Sequence, residues 1–195
     1  MRPRQTGFSL VEMMVVLAIA FVGLTFAMIQ FPPAVRNAHA DTAAQMTQNA
    51  LRNGHDLAVA DRATYHLTFT APRTIQTDRI AGGVTTTVST VQIPTDMQFT
   101  TLSQFPKTFN KLPDGFGDGI IAIDFDLGVT GGVANEIYFQ PDGTAVDVNG
   151  NLNNGIVYVA NPSYLNTSRA VTLYGATGRV KTYRIAGSGS GISWQ

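Results

Sequence analysis

The chain has 195 residues, no cysteine and a formal net charge of zero from 13 basic and 13 acidic side chains. Without cysteine there is no disulfide, thiolate metal site or thiol redox chemistry, and the balanced charge supplies no global field to recruit nucleic acid. Charged residues are 13% of the chain against about 25% in an average protein, and glycine is abundant at 19 residues, a composition suited to one exported, β-rich domain.

The first stretch, Met1 to Pro33, sets the organisation. A short leader with Arg2 and Arg4 runs into Gly7, and an apolar run follows to Phe31, interrupted by one charge, Glu12. A secretory signal has an apolar core of about 7 to 15 residues and a small-residue cleavage site behind it. Here the core is longer, has a carboxylate near its front and lacks such a site. About 20 apolar residues span a bilayer, so the run predicts a transmembrane helix. A carboxylate held at the bilayer centre costs about 2.5 to 3.5 kcal/mol, so Glu12 calls for a cation. A cut between Gly7 and Phe8 supplies one, because the new α-amino group lies four residues before Glu12.

Gly7-Phe8-Ser9-Leu10-Val11-Glu12 resembles the type IV prepilin cleavage motif. The resemblance implies a membrane-embedded peptidase that cuts after Gly7 and methylates the amine of Phe8, with Glu12 guiding assembly into a filament. Loss of the leader leaves 11 basic and 13 acidic side chains.

Pro32-Pro33 predicts a kink or break, since each proline removes an amide donor. From Ala34 to Asp61 a weak stripe of Ala38, Met46, Ala50, Leu51, Leu57 and Ala58 predicts a helix lying along a sheet, with Gly54 weakening it. The period then changes to two. Thr64 to Phe69 and Val84 to Ile93 read as strands joined through Gly82-Gly83 and neighbouring turn residues. Met97 to Phe109 reads as irregular, with Phe99, Phe105 and Phe109 as core plugs. Strands are expected at 120–125, 136–139, 145–148, 155–160, 170–174 and 180–185. Gln140-Pro141-Asp142-Gly143 and Gly175-Ala176-Thr177-Gly178 are hairpin turns, Gly131-Gly132 is turn chemistry, and the Gly-Ser run from Gly187 is a flexible tail.

The expected fold class is α+β, a long N-terminal transmembrane helix followed by an antiparallel sheet or sandwich. Its layout is leader 1–7, transmembrane and assembly helix 8–31, helix extension 32–61, β-rich periplasmic domain 62–186 and tail 187–195. The phrases Ile137 to Ala145 and Leu173 to Val180 are similar to the GspH/FimT group of minor pilins and pseudopilins. That resemblance implies a subunit of a type II secretion pseudopilus or type IV pilus, placed single-pass in the bacterial inner membrane. Its implied partners are other pilin subunits, the prepilin peptidase and methyltransferase, and an inner-membrane assembly platform.

No Walker, dinucleotide or nucleophile-elbow pattern is present, so neither an enzyme nor a cofactor is expected. His39, His55 and His66 lack metal-ligand spacing. Asp114, Asp118, Asp124 and Asp126 depart from the calcium-loop spacing, and Asp124 and Asp126 alternate with Ile123 and Phe125 as a solvent face would. On the last strand Arg179, Lys181 and Tyr183 alternate, with Arg184 beside them. Cations and an aromatic on one face can hold phosphates and stack a base. Gly178-Arg179-Val180-Lys181 resembles the C-terminal Gly-Arg-x-Arg implicated in DNA uptake by FimT-type pilins, with Lys losing the bidentate grip of Arg. A charged edge that discourages aggregation explains the same residues more simply.

Overall fold

The computed structural model describes residues 8–127, 135–187 and 189–195. Gly7 with the rest of the leader, and the Gly131-Gly132 pair, lie outside the described residues. The chain divides into two compact units, Met1–Val35 and Arg36–Gln195, and helix α1 (Leu10–Asp61) contributes residues to both.

In the first unit α1 is exposed and apolar: Leu10, Val11, Met14, Phe21 and Phe31 are each more than 60% accessible. The helix continues through Pro32 and Pro33, where the sequence predicts a break. Proline's fixed φ is compatible with helix, and both prolines are exposed, so water can satisfy the carbonyls that lose an amide donor. Among the described residues no helix is long and apolar enough to cross a membrane. That finding corrects the transmembrane assignment of 8–31, and with it the single-pass inner-membrane placement with a periplasmic domain. Glu12 stands in the first turn of α1, a carboxylate inside the stretch where a crossing takes about 20 apolar residues.

The second unit is built on small residues. Ala40, Ala43, Ala44, Leu51 and Ala58 of α1 are buried, and Gly54 sits where an added Cβ would strike Leu67 and Phe139. The stripe lacks bulk because two strands pass directly over it. Those strands belong to an antiparallel sheet in which β1 (Thr64–Thr70) pairs with β2 (Thr74–Ala81), β2 with β3 (Val84–Gln92), and β1 also with β6 (Glu136–Phe139), which pairs with β7 (Ala145–Val146). Tyr65, Leu67 and Phe69 alternate inward as period two requires.

The second sheet runs β11 (Ser193–Trp194), β10 (Arg179–Ala186), β9 (Tyr164–Tyr174), β8 (Asn154–Asn161) and β4 (Gln98–Phe99), with β5 (Ile123–Leu127) also on β8. Strand β8 is apolar almost throughout because both its faces are covered. Val157 and Val159 join the main core with α1 and the first sheet, while Ile156, Tyr158 and Ala160 join a second cluster with Phe105, Ile185 and Ile192.

Three further expectations differ from this arrangement. The segment read as a flexible tail carries β11, which pairs with β10 and buries Ile192. Phe99 and Phe105 are core plugs, but Phe109 is 69% exposed. Asp124 is 4% exposed, because the outer face of β5 and β8, assumed to meet solvent, is covered.

Candidate functional site

The N-terminal motif is capped from within. Phe8 and Ser9 precede the helix, and the Ser9 N–H donates to Glu12 Oε2 at 2.9 Å while the Glu12 N–H donates to Ser9 Oγ at 3.2 Å. This reciprocal capping box satisfies two of the amides that a helix start leaves without partners. It gives Glu12 a local use that the sequence reading overlooked, although Ser-x-x-Glu ahead of an apolar run is a legible signature of it. Oε1 of Glu12 has no hydrogen bond among the described residues. Phe8 is 81% exposed.

On β10, period two places Arg179, Lys181 and Tyr183 on one face and Arg184 on the other. The three expected cations are therefore not gathered together. Lys181 Nζ donates to Asp114 Oδ1 at 3.2 Å, the Tyr183 hydroxyl donates to the same oxygen at 2.7 Å, and the Thr172 hydroxyl donates to Oδ2 at 2.7 Å. Asp114 holds this hub from a turn in which its own φ is +51°, and Gly115 and Gly117 follow with positive φ. Burial alone would raise the Asp114 carboxyl, but the donors Tyr183, Thr172 and Lys181 outweigh it and hold the group below the usual aspartate range. The Asp114 hydrogen bond in turn raises the Lys181 ammonium. The Arg179 guanidinium lies 5.6 Å from the Tyr174 ring centroid, within cation–π reach. Arg184 is exposed, and its backbone exchanges hydrogen bonds with Gln195.

The histidines all meet carboxylates: His39 with Asp96, His55 with Asp56 and His66 with Glu136, each at 2.9 Å. His55 also receives both hairpin turns, since a Cβ at Gly143 or Gly178 would meet its ring. It is a packing residue joining α1 to the two turns. Asp118 Oδ1 accepts the amides of Ile120 and Ile121. Among the described residues no group of three or more His, Cys, Asp or Glu is arranged to hold a metal ion. No sequence signal pointed to Asp114 as a hub, nor to the buried Arg169, whose Nε donates to Asp41 Oδ1 at 2.7 Å.

Residues 2–28 match the prokaryotic N-terminal methylation motif, a motif found on type IV pilin-like proteins in general. No curated protein and no solved structure matches the chain.

Proposed function

We propose that the chain is cut after Gly7, methylated on the amine of Phe8, and assembled as a minor subunit of a type II secretion pseudopilus or a type IV pilus. The observation that carries this reading is the methylation motif over residues 2–28, within which α1 begins at Leu10 and presents Leu10, Val11, Met14 and Phe21 more than 60% accessible. Such a surface gains about 25 cal/mol per Å² when covered, and helices of like subunits are the covering that the motif implies. Glu12 keeps its capping bond through Oε2 and offers Oε1 to a neighbour's N-terminal amine. A subunit seated out of register leaves that pair unmade in a water-poor bundle, a penalty of about 3 to 5 kcal/mol when one partner of a buried pair is lost.

The alternative of capturing DNA through Arg179, Lys181 and Arg184 is less well supported, because Lys181 is engaged by Asp114 and Arg184 faces away from Arg179.

The test is intact-mass and N-terminal analysis of the chain from cells with and without a prepilin peptidase. A mature chain beginning at N-methylated Phe8, absent without the peptidase, is the expected result, and Glu12→Val should be processed yet fail to enter filaments. A chain left whole in both strains, or cut behind the apolar run, would sink the proposal.

A further inference from the structure

The sheet edges of the second unit are guarded unequally. Strands β4, β7 and β11 are two residues long, and β5 carries the buried, acidic Asp124. Short strands and charges are how proteins keep an edge from taking on another strand. Strand β3, the remaining edge, has neither defence. Its nine residues, Val-Thr-Thr-Thr-Val-Ser-Thr-Val-Gln, include no charge and no proline, and all but Ser89 and Val91 are exposed. A bulge leaves Val88 out of the ladder with β2, but four paired residues stand on each side of it.

A second observation lies beside the same edge. Met46, Asn49, Ala50 and Asn53 of α1 line a groove of about 540 Å³ with Ser89 and Val91 of β3. Met46, Ala50 and Val91 already pack on the core. An added strand would find backbone partners along β3 and apolar sockets for its alternate side chains in this groove, the two components of β-strand addition.

We propose that β3 is a dimerisation edge and that its occupant is β3 of a second copy of this chain. The groove's lining carries no charge, and β3 is itself an extended, uncharged segment rich in β-branched Val and Thr, so two copies of this edge meet without burying or opposing a charge on either strand. Antiparallel pairing about a two-fold axis sets Thr and Val against Thr and Val and opposes no like charges. Such a contact is isologous and closes at two copies. The inference does not use the pilin reading and stands or falls separately from it.

The absence of cysteine makes the test clean. Each residue from Val84 to Gln92 is replaced singly by cysteine in the full-length chain, and disulfide dimers are measured under mild oxidation. Two-fold pairing brings only the residues near the axis within bridging range, about 4.4 to 6.8 Å between Cα atoms. The yield should peak at one or two positions and fall away on both sides. At its peak it should stand at least about tenfold above an exposed Ser103→Cys control, since pairing raises the effective thiol concentration. Adding Thr85→Lys and Thr90→Lys should abolish the peak. These are surface positions, and an unchanged circular dichroism spectrum shows that the fold is intact. Yields no higher than the control, or a peak indifferent to the lysines, would overturn the proposal.

Discussion

Asp114 shows how one carboxylate can organise a surface. It adopts φ +51°, which non-glycine residues rarely do, and the donors of three side chains hold it there. A carboxyl held below its ordinary value stabilises the fold above about pH 4, and that contribution disappears as the pH falls through the lowered value. Asp114→Asn should therefore cost about 1 to 3 kcal/mol near neutral pH. The gap to the parent chain should close as the pH falls through that lowered value, because the parent's own carboxyl is then protonated. Thermal unfolding across that range would check it, and a gap that does not change with pH would count against the hub. Gly178 makes a steric case. With φ +63° and a Cβ that would enter the His55 ring, Gly178→Ala should cost about 1 to 3 kcal/mol, a fall in Tm of roughly 3 to 10 °C. Gly150, at φ +82° with open space around it, bears only the backbone strain of the same change. Equal losses at the two sites would show that His55 does not press on the turn.

The elements differ in how far their residues announced them. Strands β1 and β6 were readable because Tyr65, Leu67 and Phe69, and Ile137 and Phe139, alternate cleanly over a single buried face. The turn at Gly143 was readable from Pro141-Asp142-Gly143, and its amide does bond to the Gln140 carbonyl. Strand β2 was hidden, because Thr74 to Arg79 offers one large apolar residue, Ile75, and buries Thr77 and Asp78 through pairing and cover that the local pattern cannot reveal. Strand β11 was hidden by composition. Gly and Ser predict a mobile end, yet Ile192 and Trp194 dock on an aromatic cluster formed by residues far away in sequence. At the motif, Ser9-x-x-Glu12 ahead of an apolar run is the local signature of the capping bonds that form there. On β10 the alternation was read correctly, but not the Asp114 turn that reaches across from about seventy residues upstream and engages one of its cations.

Across the whole molecule, the two clusters on either face of the second sheet are built differently. The main core joins α1 and both sheets, whereas the outer cluster is closed by the loop around Phe105 and by the C-terminal strand. Trp194 meets Phe105 edge-on at 5.2 Å and Tyr158 at 5.5 Å. Burial, followed by the nearby Asp118 and Asp124 carboxylates, pushes the Tyr158 phenol well above its ordinary range, so it stays neutral in this cluster. Phe105→Ala should loosen the cover without unmaking the main core. Tryptophan emission should shift to the red and the thermal midpoint should fall, while the far-ultraviolet circular dichroism stays that of the parent. Emission unchanged by the substitution would mean that Trp194 does not depend on Phe105 for its cover. The chain has one tryptophan against six tyrosines, so its indole emission reads the outer cluster alone, and the ratio of indole to tyrosine emission follows that cover while the main core stays closed.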